Sequence, residues 1–160
     1  MNFAPSISTL LDGVRDAYIK DQKDKGIYSS GKSASSIRKD VEETSGQLFG
    51  SSYFYQQKHG RKPGKFPPID DILNWIRAKG IQPGMYQPTP KTGQKIPKPR
   101  QMTERQLAFL FAQKIAREGT DIFQGKRPEL DPGEQIQKLV MEFSRSVSKE
   151  LRKEIKAIHK

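Results

Sequence analysis

Between Gly60 and Gly80 the chain packs three glycines and three prolines into one short run. Gly60 and Gly64 permit backbone angles closed to other residues, while Pro63, Pro67 and Pro68 fix φ and stiffen the chain. The run therefore predicts a rigid surface loop over 60–68 that presents Arg61, Lys62 and Lys65, with Lys58 and His59 just before it. The loop delivers the chain into a short helix from about Asp70 to Lys79, with Ile72, Leu73 and Ile76 on one side. Asp70 and Asp71 sit at the positive end of that helix, and Gly80 is placed to cap its other end. Trp75, on a short amphipathic helix, reads as a core or contact residue. A stiff cationic loop backed by a helix suits docking better than catalysis.

Composition narrows the class. The 160 residues hold 29 Lys and Arg against 18 Asp and Glu, a net charge of +11. That balance points to nucleic acid, an anionic surface or acidic protein partners. Hydrophobic residues make up 33% and mean hydropathy is -0.80, enough for one modest core. No apolar run is long enough to span a membrane, and none has the layout of a secretory leader. With no cysteine there is no disulfide, thiol nucleophile or sulfur-ligated metal.

Patterning gives an α+β fold. Pro5 to about Lys23 places Ile7, Leu10, Leu11, Val14, Ala17 and Tyr18 at helical spacing, with Ser6 as a capping candidate. Ser33–Glu43 and Gln47–Gln57, joined at Ser45-Gly46, read as an antiparallel hairpin; a helix from Ser51 to Lys58 is the competing reading. Residues 82–101 show no periodicity, carry Pro83, Pro88, Pro90, Pro97 and Pro99 with Gly84 and Gly93, and have only positive charges: Lys91, Lys95, Lys98 and Arg100. They read as an extended basic arm that orders against a neighbouring subunit. Thr103-Glu104-Arg105-Gln106 is a capping box for a helix with Leu107, Leu110, Phe111 and Ile115 on one face, ending at Gly119. Asp121 to Gln124 reads as an edge strand or a turn. Pro132 opens a long final helix whose stripe runs through Ile136, Leu139, Val140, Phe143, Val147, Leu151, Ile155 and Ile158 and asks for a partner along its length. Lys153, Lys156, His159 and Lys160 complement its negative end.

Catalytic chemistry finds no foothold. His59 and His159 lack ligand-spaced partners, so neither metal nor cofactor is expected. Asp70-Asp71 and Glu42-Glu43 are adjacent and do not face each other as a catalytic dyad must. No Gly-x-Ser-x-Gly elbow exists, and Gly60 to Lys65 lacks the Walker spacing. The expectation is that the chain is not an enzyme. Basic segments at 58–65, 91–100 and 149–160, with Tyr53, Phe54, Tyr55 and Tyr86 as stacking surfaces, make nucleic-acid binding the serious rival to a structural role.

The chain resembles the tail-completion proteins of tailed bacteriophages, which sit at the head–tail junction, or neck. The likeness rests on Ser30-Gly31-Lys32 with Ser36-Ile37-Arg38, on Tyr53-Phe54-Tyr55, on Gly60 to Pro68 with Trp75-Ile76, and on Ala112-Gln113-Lys114-Ile115-Ala116-Arg117-Glu118-Gly119-Thr120. It implies a small antiparallel sheet packed by a long N-terminal helix and further helices. The family has an aromatic-rich strand where Tyr53-Phe54-Tyr55 stand. It also implies a structural virion protein joining the head connector to the tail, working as a ring of identical subunits through which DNA passes. Partners would be other copies, portal and tail proteins, and packaged DNA without sequence preference, with no membrane. On this reading residues 1–125 form the tail-completion-like domain and 126–160 a helical extension, which departs from the family, as does the weak strand after Gly119-Thr120. Contacts fall to Arg61, Lys62, Pro63, Gly64, Lys65, Pro67 and Pro68, to the arm Lys91, Lys95, Lys98 and Arg100, and to Phe143, Val147, Leu151 and Ile155. The alternative is a DNA-binding accessory protein that acts without sequence preference.

Overall fold

The computed structural model describes residues 2–90, 92, 95 and 98–158. Its elements in order are α1 (Ala4–Asp24), α2 (Lys32–Ser35), β1 (Arg38–Val41), β2 (Gly46–Phe49), α3 (Tyr53–His59), α4 (Ile69–Ala78), β3 (Met85–Tyr86), β4 (Arg100–Gln101), α5 (Glu104–Glu118) and α6 (Gly133–Ile158). Two antiparallel two-stranded ladders, β1–β2 and β3–β4, accompany the helices, so the fold is α+β. The chain groups into two compact units: residues 1–59 with 128–160, and residues 60–127. The final helix lies along α1 in the first unit.

In the first unit the β1–β2 ladder pairs Arg38 with Phe49 and Val41 with Gly46. It lies against α1, tied by Phe3 N–H donating to Glu43 O at 2.8 Å and by Lys39 Nζ to Asp12 Oδ2 at 2.5 Å. That Lys39 hydrogen bond, with the charges of Lys39 and Arg15, holds the Asp12 carboxyl below its ordinary range. Tyr18 meets Phe54 edge-on at 5.9 Å, joining α1 to α3. Behind them lies a buried polar junction. Gln22 Nε2 donates to Gln57 Oε1 at 2.9 Å, Gln57 Nε2 donates to Ser33 Oγ at 3.2 Å, and Leu130 N–H donates to Gln57 O at 3.1 Å.

α6 runs antiparallel to α1: Asp131 N–H donates to Asp21 Oδ2 at 2.8 Å, and Leu139 closes over Gly13. At 1.5 Å per residue, the start of α1 falls opposite about residue 148 of α6. The stripe divides accordingly. Ile136, Leu139, Phe143 and Val147 are half-buried, whereas Leu151 and Ile155 are exposed at 37% and 54%.

In the second unit α4 and α5 pack face to face around Ile72, Ile76, Ala108 and Ala112, with Leu73, Trp75, Leu107, Phe111 and Ile115 around them. Small alanines on α5 let the branched side chains of α4 approach closely. Trp75 stands edge-on to Phe111 at 5.6 Å. Gly80 takes φ +64 directly after α4, where its N–H donates to Arg77 O and the Ile81 N–H to Ile76 O, the paired closure expected of a glycine-ended helix.

Several expectations are corrected. The aromatic run Tyr53-Phe54-Tyr55 is helical, so the competing reading of a helix over Ser51–Lys58 holds in place of the strand; Ser51 Oγ accepts from Tyr53 N–H at 3.2 Å at the start of α3. The first hairpin strand is shorter than Ser33–Glu43, since residues 32–35 form a helical turn. Ser6 does not cap α1; Asn2 Oδ1 accepts from Ala4 N–H. Of the two readings of residues 121–124, the turn is the one found, closed by Gln124 N–H to Thr120 O and Lys126 N–H to Asp121 O. The basic arm folds back on itself, β3 pairing with β4. Lys91, Gly93 and Pro97 in the arm, and His159 and Lys160 at the end of the chain, lie outside the described residues.

Candidate functional site

The loop 60–68 is seated on the C-terminal end of α5. Gly60 adopts φ +69, and a Cβ there would stand 2.3 Å from the backbone N of Phe123; only glycine fits. Arg61 N–H donates to Thr120 Oγ1 at 2.8 Å, and Thr120 N–H returns to Arg61 O at 2.9 Å. Gly64 N–H donates to Ala116 O at 2.8 Å, satisfying one of the carbonyls that a helix end leaves unpaired. Gly119, at φ +80, turns its bare face to Arg61 O, 2.7 Å from where a Cβ would be. The Gly-Arg-Lys-Pro-Gly-Lys loop and the Glu-Gly-Thr segment, 53 or more residues apart in the chain, are thus one backbone-built structure.

That construction sorts the predicted contact residues. Arg61 is partly structural, its Nη2 donating to Lys65 O at 2.8 Å and cinching the loop. Pro67 is buried, and Pro68 stands at the entry to α4. Lys62, Pro63, Gly64 and Lys65 are exposed. Neither Lys62 nor Lys65 forms an ion pair among the described residues.

Positive charge continues beyond the loop. Lys114 and Arg127 each lie 3.8 Å from Asp121, and Arg117 pairs with Glu118. Glu118 is held below its ordinary range by the Arg117 hydrogen bond, then by the charges of Arg117, Lys114 and Lys126. In the arm, Lys95 and Lys98 are exposed, whereas Arg100 is engaged, Nε donating to Tyr86 Oη at 3.0 Å with its guanidinium 5.1 Å from that ring. The other predicted contacts, Phe143, Val147, Leu151 and Ile155, belong to α6 in the first unit.

Sequence reasoning missed two parts of this site. One is Thr120, whose hydroxyl seats Arg61; its only signal was its place after Gly119. The other is the pair Phe66 and Phe109, whose rings lie 5.6 Å apart and tilted by 43°. Among the described residues no three His, Cys, Asp or Glu are placed to hold a metal ion, and no helix is long and apolar enough to cross a membrane. No protein-family model, curated protein or solved structure matches the chain.

Proposed function

We propose that this chain is a structural protein of the tailed-phage neck, joining the head connector to the tail as one subunit of a ring that DNA traverses. The observation that carries the reading is the seating of the 60–68 loop on Ala116, Gly119 and Thr120. The two segments on which the family resemblance chiefly rests are thereby parts of one surface. A loop fixed by backbone bonds presents Lys62 and Lys65 without losing freedom on docking, which suits a repeated contact between copies. Ring contacts are heterologous, one patch of each copy meeting a different patch of the next. The loop, Lys95 and Lys98 in the arm, and the exposed Leu151 and Ile155 are the surfaces assigned to them. The virion is the proposed location.

The test is to interrupt the gene in its phage and image the particles by negative-stain electron microscopy. DNA-filled heads separate from finished tails are expected, or filled heads without tails in a short-tailed phage. Normal particles in lower yield would end the neck reading. Lys62→Ser with Lys65→Ser, leaving Arg61 to hold the loop, should reproduce the defect if the loop is a joint.

One observation favours the second reading, a DNA-binding accessory protein. Residues 60–127 hold 14 Lys and Arg against 5 Asp and Glu. Such a segment attracts phosphate backbones without regard to sequence. Tight duplex or single-strand binding by the isolated monomer, collapsing steeply with salt, would support it over the neck role.

A further inference from the structure

We infer that the surface built from Phe66, Phe109, Lys62 and Lys65 binds single-stranded nucleic acid, stacking bases on the two rings and holding phosphates on the two lysines. The inference rests on reading residues 60–127 as the part of the chain that faces nucleic acid. It goes further by naming the strand state and the side chains.

The argument begins with α5. Its inner side, Ala108 and Ala112, is fully buried against α4. Phe109 lies off that side and is 47% exposed; Phe66 comes from the loop and is 41% exposed. A single exposed phenylalanine is ordinary, but two in mutual contact beside a fixed loop form a small aromatic platform. Its surroundings are cationic. Lys65 immediately precedes Phe66, and both Lys62 and Lys65 are exposed. Arg105, one helical turn before Phe109, is paired with Asp70 at 3.1 Å, and Arg117, about two turns after it, is paired with Glu118, so the charge here without an ion pair among the described residues is that of Lys62 and Lys65.

A ligand that uses both features must carry negative charge and flat π faces together. Duplex DNA offers the charge but keeps its bases stacked inside, leaving the rings idle. An acidic peptide meets the lysines and offers carboxylates to the rings. An unpaired strand exposes phosphates and bases alike, and pairs a positive groove with stacking rings. The loop is already fixed by Thr120 and Ala116, so binding spends little on ordering it.

The test is fluorescence anisotropy of the full chain with a labelled oligo(dT) strand and with a duplex of equal length, across a salt series. Oligo(dT) should bind more tightly than the duplex. Phe66→Ala with Phe109→Ala should weaken oligo(dT) binding about tenfold or more and leave the duplex nearly unchanged. Lys62→Ser with Lys65→Ser should weaken both and reduce the salt slope for the single strand by about 1.4. Phe109→Trp should retain binding and Phe109→Leu should lose it; this pair remains decisive if the double alanine variant is unfolded by circular dichroism. Equal affinity for strand and duplex, or full binding by Phe109→Leu, overturns the inference. So does loss of self-association by the ring variants, seen in sedimentation, with strand binding intact: the platform would then be a contact between copies. Each of these failures leaves the neck role standing, because that role is read from particles.

Discussion

The two units solve the same problem with different materials. Residues 60–127 have one continuous apolar centre, Ile72, Ile76, Ala108 and Ala112, and a surface biased to 14 Lys and Arg against 5 Asp and Glu. Residues 1–59 with 128–160 are nearly balanced, 15 against 13. Their buried apolar residues, Ile7, Ala17 and Leu130, are joined by the buried polar groups Asp21, Gln22 and Gln57. In the first unit two long helices and a hydrogen-bonded junction set the architecture, and opposite charges pair locally, as Lys39 with Asp12 and Lys25 with Asp21. In the second, packing of two helices is sufficient, and like charges are left facing outward at Lys62 and Lys65. The second unit pairs charges too, Arg77 with Glu104 and Arg105 with Asp70 across α4 and α5, but its few acids leave a cationic surplus at the surface.

The comparison breaks most readily at the apolar centre. Ile76 is fully buried, so Ile76→Ala should cost about 3 to 4 kcal/mol in denaturant unfolding, with lost hydrogen-exchange protection centred on α4 and α5. Next, Gly119→Ala forces a left-handed backbone and a clash with Arg61 O; a loss of about 2 to 4 kcal/mol is expected, with the amide of Gly64 losing protection. Gln22→Ala leaves Gln57 Oε1 buried without its donor, costing about 2 kcal/mol. Should Gln22→Ala prove costlier than Ile76→Ala, the contrast between apolar and polar centres fails. Thr103→Ala removes the side chain that accepts from Gln106 N–H and should lower stability by about 1 kcal/mol.

The smallest effect is the pH response of Asp12. Its folded-state pKa is depressed, so the stabilisation it provides is present above the ordinary carboxylate value of 3.8 and fades as pH falls through the lower folded value. Asp12→Asn should therefore flatten the acid limb of a urea-midpoint profile between about pH 5 and about pH 2. An unchanged limb would remove the Lys39 contact from the account.

Where a local rule and the tertiary structure agree, the sequence was readable. The Thr103–Gln106 box has both of its hydrogen bonds, α1 falls within a residue of its expected limits, and Gly80 ends α4 with a positive φ. The α+β class followed from those same signals. Failures came where a short-range chemical detail outweighed propensity. Tyr53-Phe54-Tyr55 carries strand-forming side chains, yet one serine hydroxyl starts a helix there, and Phe54 finds its partner in Tyr18. The β3–β4 ladder was illegible because two residues on each side leave no alternation to detect. For the candidate site, the loop and its exposed lysines were legible from glycine, proline and charge. Its seat was not, because Thr120 acts through a contact 59 residues away. The stripe of α6 overreached its cover: Val140 is exposed at 44% although it lies alongside α1, and Leu151 and Ile155 lie beyond the start of α1.

The way the loop is seated has a consequence for change. Its anchors are main-chain atoms, two bare glycine faces, one threonine hydroxyl and the Arg61 guanidinium on Lys65 O, while the side chains of Lys62 and Lys65 take no part in holding it. Shape and message are therefore written in different letters. Both lysines can be exchanged for acids, aromatics or amides without disturbing the frame, so under the proposed docking role the same mount could be re-addressed to a new counterpart one side chain at a time. Substitution at Gly60 or Gly119 alters the mount itself and silences every address at once.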